Sequence, residues 1–304
     1  MALGSTWARL APLAAEIGAV AERLRPSVVV VDNGAGAGAG VIWAADGLVV
    51  TNDHVVPGEQ ARVQLATGET VAGQVVGRDR LNDLAAIRIP RASVPAVPVG
   101  DSTALRPGQL VLAIGHPLGL NHALTLGIVS ALPAADEPRE LIRADLALAP
   151  GNSGGPLLDA AGRVIGINAM VAAPGVALAV PSHVVGAFVS HLGEPAPWLG
   201  ITALPVLIPP AYRRSAGAAA GLLITEVAPG GPAEAAGLLP GDVIVQVAGE
   251  PIRQPRHLLE ALARTPAGAE LALAIFRGGR PLATAVRPTL RAAGSDAPPA
   301  RSAA

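Results

Sequence analysis

Gly151-Asn152-Ser153-Gly154-Gly155-Pro156 is the stretch on which the reading of this chain turns. Glycine permits backbone angles that a side chain forbids and lets another segment approach closely. Set among glycines, Ser153 can be pushed outward while the turn gathers its backbone N–H groups. Gly151, Asn152 and Ser153 are the candidate contributors, with the N–H groups of Gly151 and Ser153 converging on one point. Fixed donors aimed where negative charge develops make an oxyanion hole. The alternative is a Gly-rich surface turn carrying an incidental serine. The hexapeptide alone leaves both readings open, and a base with an orienting acid further upstream would decide between them.

Two stretches supply those partners. Thr51-Asn52-Asp53-His54-Val55-Val56 places a histidine just after an apolar, β-branched run. Arg80-Leu81-Asn82-Asp83-Leu84-Ala85 places an aspartate just before another. The order His, Asp, Ser along a chain is that of the two-barrel serine proteases. Serine is a weak nucleophile until a base takes its proton, and an imidazole needs a carboxylate to hold it in the right tautomer. His54, Asp83 and Ser153 are therefore the candidate catalytic residues. Asp53, Asp79 and Asp101 are rivals for the orienting acid.

Composition narrows the field. The chain has 304 residues, enough for about two domains. Of these, 51% are hydrophobic and 15% charged, so a sizeable core can form, filled by Val, Leu, Ile and Ala because aromatics are only 2%. A net charge of −1 gives no electrostatic reason to expect nucleic acid or an anionic membrane as partner. The absence of cysteine excludes a thiol nucleophile, disulfides and a Cys-based zinc site. No metal or cofactor is expected.

Short strands punctuated by Gly and Pro run through the first two thirds of the chain, which predicts a β-barrel or sandwich rather than alternating βα units. Ala45-Asp46-Gly47 is a hairpin signal. Gly34 to Gly40 alternates Gly and Ala and reads as a flexible or tightly turning link. Ahead of these, residues 1–26 read as an amphipathic helix, with Leu10, Leu13, Ile17, Val20 and Leu24 at helical spacing and Pro26 as its stop. Glu16 breaks the apolar stretch that a signal peptide needs, and no run of about 20 apolar residues suits a membrane helix.

The expected organisation is a helical segment over 1–26, a protease domain over 27–192, a proline-containing linker over 193–197, a second domain over 198–290 and a disordered tail over 291–304.

Together these segments resemble the HtrA (Deg) family of serine proteases. Gly38-Ala39-Gly40-Val41-Ile42, Ala113-Ile114-Gly115-His116-Pro117, Thr125-Leu126-Gly127-Ile128-Val129-Ser130 and Val164-Ile165-Gly166-Ile167-Asn168 match as well. The resemblance covers roughly Arg25 to Leu290. It implies a mainly β fold: a chymotrypsin-like double β-barrel followed by an α+β PDZ domain.

The implied activity is a serine endopeptidase that cleaves unfolded or misfolded polypeptides. A protease-like scaffold or chaperone acting through the PDZ domain is the alternative. By resemblance, the pocket walls are Leu146–Ala149, Asn168–Val171 and Ala177–Val180, with Leu148, Val171 and Leu178 at the pocket. None of these segments carries a charge, so cleavage after small or medium apolar residues is expected. Leu132–Leu141 takes the place of the family's regulatory sensor loop.

In the second domain, Leu199, Gly200 and Ile201 would capture a peptide's terminal carboxylate, and the peptide would add as a strand. The resemblance further implies a homotrimer, with Trp7 and the N-terminal helix as contacts. It also implies an extracytoplasmic setting, against which stands the lack of a visible signal.

The chain departs from the family at a few positions. Asp53 stands where Asn is usual beside the histidine, and it is expected to point to solvent. His116 occupies a place where Asn or Ser is common and is no spare base. His122, His183, His191 and His257 read as ordinary surface or helix residues, and Asp145 as structural.

Overall fold

The computed structural model describes residues 3–32, 34, 36–116, 123–133, 139–173, 175–266 and 268–291. The chain divides into two compact units, Met1–Leu192 and Gly193–Ala304.

The first unit begins with helix α1 (Leu3–Leu24), which runs through Pro12. Its Val20 and Leu24 join a buried apolar cluster, and Arg23 donates to the Ala161 carbonyl at 3.0 Å, fastening the helix to the unit. Six strands then close a barrel: β1 (Val28–Asp32), β2 (Ala37–Ala44), β3 (Leu48–Thr51), β4 (Gln60–Gln64), β5 (Thr70–Asp79) and β6 (Leu84–Arg88), in the order β1-β2-β3-β6-β5-β4. Six more close a second barrel in the order β10-β11-β12-β9-β8-β7. These are β7 (Leu110–Gly115), β8 (Ala123–Ala131), β9 (Ile142–Asp145), β10 (Pro156–Asp159), β11 (Val164–Ala173) and β12 (Val176–Pro181). Helix α2 (Ser182–Ser190) follows. The short strands β9 and β10 complete the second barrel, though nothing in their own composition marks them as strands.

Strand periodicity sorts the core. Successive side chains point to opposite faces of a strand. Val29 and Val31 enter the first barrel's interior with Ile42, Val49, Val63 and Ile87. Val28, Val41, Val50 and Leu84 face the other way and meet Leu112, Ile114, Leu158 and Ile167 of the second barrel. Both faces of these strands are buried, so they read as continuous apolar runs and not as alternation.

The link expected over Gly34–Gly40 is instead strand from Ala37 onward. Its glycines serve close approach. A Cβ on Gly38 would lie 2.8 Å from a Val55 methyl and 3.0 Å from the Ser153 carbonyl oxygen. The Ala39 N–H donates to that same carbonyl at 2.8 Å. Strand β2 thus lies against the serine turn.

Among the described residues the second unit holds a six-stranded sheet, a two-stranded sheet and three helices. Strand β13 (Ala196–Trp198) pairs with β20 (Thr289–Arg291). This corrects the linker expected over 193–197, whose last residues are strand, and it carries ordered structure to Arg291, one residue past the boundary expected at 290. The tail from 292 lies outside the described residues. The main sheet runs β14-β15-β16-β18-β19, with β17 (Glu250–Pro251) on β16. Its strands are β14 (Ile201–Leu207), β15 (Ala220–Val227), β16 (Val243–Val247), β18 (Leu271–Arg277) and β19 (Arg280–Val286). Helices α3 (Pro210–Ala216), α4 (Pro232–Ala235) and α5 (Pro255–Arg264) complete it. α5 buries Leu258, Ala261 and Leu262 with Leu222, Ile244 and Leu273 of the sheet. No helix of the described residues is long and apolar enough to cross a membrane.

Candidate active site

The first barrel presents the candidate base and the candidate acid. A single turn of 3₁₀ helix, Asp53–Val55, follows β3 and carries His54. Asp83 sits immediately before β6 in the left-handed region, at φ 57°. Aspartate is among the few residues with a side chain that tolerate this conformation. Several groups hold it there. Asn52 Nδ2 donates to the Asp83 carbonyl at 2.8 Å. Asp79 accepts from the Asn82 N–H at 3.0 Å and from Asn82 Nδ2 at 2.7 Å. Arg139 reaches over from the second barrel and donates to the Asn82 carbonyl at 2.9 Å.

The result is a close clasp. His54 Nδ1 lies 2.8 Å from Asp83 Oδ2 and 3.0 Å from Oδ1, and the His54 backbone N–H donates to Oδ1 at 3.1 Å. The hydrogen bond to Asp83 raises the His54 pKa above 6.5; burial and the Arg139 charge oppose this, while the Asp83 and Asp53 charges add to it. The imidazole side chain is half exposed, whereas that of Asp83 is 13% exposed. The rival acids are occupied elsewhere: Asp79 with Asn82, and Asp101 capping the turn at Thr103. Asp53 does not point to solvent as expected. It forms an ion pair with Arg78, whose side chain is only 5% exposed. A buried guanidinium needs a counter-charge, and Asp53 supplies it.

The second barrel presents the serine. Gly151 adopts φ 102° and Gly154 φ 83°, both in glycine's territory. A Cβ on Gly154 would stand 2.1 Å from the Ala39 carbonyl oxygen, so the turn closes only around glycine. Gly154 and Gly155 are tied by N–H bonds to the Asn168 and Asn152 carbonyls, at 2.8 and 3.0 Å. Both the backbone N–H and the side-chain Nδ2 of Asn152 donate to Ala149 O, at 3.1 and 3.0 Å. Asn152 is therefore no donor to the cleft, contrary to the expectation that placed three donors there. Among the described residues the Gly151 and Ser153 N–H groups make no hydrogen bond. The Ser153 hydroxyl donates to the Ala169 carbonyl at 3.1 Å rather than to the His54 ring.

A cleft of about 880 Å³ joins these groups. His54, Asp83, Asn152 and Ser153 line it, with Leu148, Ala149 and Asn168–Val171 forming an uncharged wall. Leu148 and Val171 are among the lining residues. Leu178 does not line the cleft: it lies on β12, 9% exposed, paired with Met170. The neighbouring Met170, 43% exposed, supplies apolar surface that the sequence reading did not single out. Arg80 and Arg139 also line the cleft and went unnoticed as cleft residues. No sequence periodicity signals them, since their places depend on two barrels meeting.

Among the remaining histidines, His116 is buried beside the turn and its N–H donates to the Gly151 carbonyl at 3.1 Å. His183 is more than a helix surface residue: Nε2 lies 2.9 Å from Glu140 Oε2, and Nδ1 lies 2.9 Å from Ser102 Oγ. His122 lies outside the described residues, as do residues 134–138 of the sensor-loop segment. Among the described residues no His, Asp and Glu cluster could hold a metal ion.

In the second unit, Leu199 is buried and Gly200 takes φ 79°. Their carbonyls accept from the Ala233 and Ala228 N–H groups, at 2.9 and 2.8 Å. Their own N–H groups make no hydrogen bond among the described residues. Ile201 opens β14, the outermost strand of its sheet, paired on one side only with β15.

Two six-stranded antiparallel barrels with His, Asp and Ser at one cleft define the chymotrypsin-like fold, and the second unit defines a PDZ domain. Family models agree: the trypsin-like peptidase domain matches residues 38–167 and the PDZ domain matches residues 223–277. The chain is 38% identical over 276 residues to the putative serine protease HhoB of Synechocystis, covering 83% of this chain and 66% of that one. To a probable periplasmic serine endoprotease DegP-like of Marinomonas it is 37% identical over 257 residues, covering 80% and 55%. The chain thus spans about half to two thirds of the length of these curated relatives. Among solved structures, the HtrA-type protease AlgW with a tripeptide superimposes with a TM-score of 0.65 at 32% identity, covering 90% of this chain and 97% of that one. The chain belongs to the HtrA family of serine proteases.

Proposed function

We propose that this chain is a serine endopeptidase acting on unfolded polypeptides, with Ser153 as nucleophile, His54 as general base and Asp83 as orienting acid. The observation that carries the reading is the His54–Asp83 clasp opening on the same cleft as Ser153, beside two N–H groups that make no hydrogen bond among the described residues. With Nδ1 occupied by Asp83, Nε2 is the ring nitrogen left for the serine. A rotation about the Ser153 Cα–Cβ bond takes the hydroxyl from the Ala169 carbonyl toward it.

Ser153 Oγ then attacks the substrate carbonyl carbon as its proton passes to Nε2. The oxyanion is received by the Gly151 and Ser153 N–H groups. The C–N bond breaks as the imidazolium returns the proton to the leaving amine. Water, deprotonated by the same base, then releases the acyl group.

The pocket residues Leu148, Met170 and Val171 favour an apolar side chain before the cleaved bond. A lysine there would lose its hydration without gaining a partner. Leu199, Gly200 and Ile201 form the carboxylate-capture loop of the second unit, and strand addition at the outer edge of β14 seats the peptide. The Leu199 and Gly200 N–H groups, which make no hydrogen bond among the described residues, support this. The family relationship further supports a homotrimer and an extracytoplasmic setting.

The test is casein cleavage. Wild type is expected to cut unfolded casein. Ser153→Ala, which keeps the glycine turn, is expected to fold and to lose activity by on the order of 10⁶. A Ser153→Ala variant that still cuts at a substantial fraction of the wild-type rate rules the assignment out.

A further inference from the structure

The 3₁₀ turn that carries His54 begins without a side-chain cap, since Asn52 spends its amide on the Asp83 carbonyl. Anchorage comes from outside, from Arg78 on β5. Its Nη1 donates to Asp53 Oδ1, just before His54. Its Nη2 donates to the Gly58 carbonyl at 2.6 Å, just beyond the turn. The side chain is buried, and Nε makes no hydrogen bond among the described residues, so these two acceptors carry the guanidinium. On β5, Arg78 stands opposite Ala85 of β6, and Asp79 stands opposite Leu84, the residue after Asp83. Arg78 therefore grips the loop of the base on both sides of His54, from the strand that leads into the turn of the acid. The other charges nearby are accounted for as follows. Arg80 Nε lies 3.9 Å from Asp53 Oδ2 and holds a second contact elsewhere. Asp79 is bound to Asn82. Asp83, Asp53 and Arg139 act on the imidazole itself.

We propose that Arg78 and Asp53 are positioning residues for the base: the pair holds the His54 loop against the Asp83 turn, and the Asp53 carboxylate gives the imidazole a second negative neighbour. This rests on the endopeptidase reading above and adds to it two residues that act through His54. Two functions are separable in the pair. The geometry depends on the planar fork of Arg78, which reaches two acceptors at once; a lysine ammonium is a point charge on a flexible stem and cannot span both in the same way. The electrostatics depend on the charge of Asp53, which an amide of the same shape lacks. The hydrogen bond from Asp83 is the main cause that raises the His54 pKa, against burial, and the Asp83 and Asp53 charges add to it while that of Arg139 opposes. Removing the Asp53 charge therefore lowers the folded pKa of His54.

The experiment uses the full chain and a fluorophosphonate probe. The limiting rate of Ser153 labelling, the probe concentration at half saturation and the pH dependence are measured for wild type, Asp53→Asn and Arg78→Lys, each first shown to be folded by circular dichroism. Asp53→Asn keeps an acceptor for Arg78 and loses the charge. Its labelling limb is expected to move to lower pH than that of wild type. Arg78→Lys keeps the charge and loses the double grip. Its limiting rate is expected to fall by about 10²-fold, the scale of a small misplacement of a reacting group, with the half-saturating concentration little changed. A purely architectural pair would alter thermal stability and leave both readouts of the folded variants as in wild type. A limb that stays in place or moves to higher pH in Asp53→Asn overturns the electrostatic role, and an Arg78→Lys protein that labels at the wild-type limiting rate overturns the geometric one. Should one variant fail to fold, the other decides; should both fail, the pair is architecture and the inference falls. A folded wild type with no label on Ser153 overturns the endopeptidase reading itself.

Discussion

Two carboxylates, one in each unit, show how differently the same group is used. Asp242 in the second unit is buried and fully engaged. Arg277 donates to it from Nε at 2.6 Å and from Nη2 at 2.7 Å, and the Leu239 N–H adds a bond at 2.9 Å. Burial pushes its pKa up, but the Arg277 and Leu239 hydrogen bonds prevail and hold it below the usual carboxylate value. Asp83 in the first unit grips a single half-exposed imidazole, and the groups around it stop short of complete bonding. The Ser153 hydroxyl rests on a carbonyl, and the Gly151 and Ser153 N–H groups bond to nothing among the described residues. Saturated hydrogen bonding makes architecture, while unspent donors beside a base make a reaction site. That contrast, more than sequence position, separates the structural aspartate from the one proposed as catalytic.

The sharpest way to break the comparison is at Asp83. Asp83→Asn is expected to fold and to lose about 10⁴ in kcat, because an amide favours the wrong imidazole tautomer. Asp79→Asn, which keeps one acceptor for Asn82, should be far milder. Casein cleavage by the two variants decides it, and an Asp79→Asn enzyme as dead as Asp83→Asn would transfer the role. Arg277→Met is the counterpart in the second unit. It strands a buried carboxylate and is expected to destabilise that unit by about 3 kcal/mol, with catalysis at the first unit's cleft untouched. Hydrogen exchange of β15–β19 in the full chain measures this. The sign with pH is fixed by the lowered pKa: the Asp242 contribution is present above about pH 3.9 and is lost as pH falls through the folded value. The variant should show less of that acid sensitivity, and unchanged protection of the sheet would contradict the account.

How far the sequence could be read follows from where each signal lies. His54, Asp83 and Ser153 sit in short segments whose residue types suggest their chemistry, so they are singled out without the fold, and the fold brings them to one cleft. The barrels were legible through β-branched runs. Partnerships between distant segments were not. Asp53 beside the histidine looked solvent-facing because nothing local reveals Arg78 on β5. The link over Gly34–Gly40 looked loose because glycine signals both turns and close approach, and only the serine turn packed against β2 shows which applies. Asn152 looked like a third donor until its N–H was found on Ala149. Residues 196 and 197 looked like linker because two prolines, at 195 and 197, hide a strand whose partner lies at the far end of the unit. Leu178 followed its segment's resemblance, but β12 as a whole contributes no residue to the lining of the cleft.

The most direct test of the central claim is fluorophosphonate labelling followed as a function of pH, with the modified residue mapped by mass spectrometry. The account predicts one label, on Ser153. Its rate should climb as His54 loses its proton, along a limb centred above pH 6.5 because Asp83 raises the folded pKa of the imidazole. A folded protein whose Ser153 stays unlabelled, or that carries the label on another serine, would contradict it.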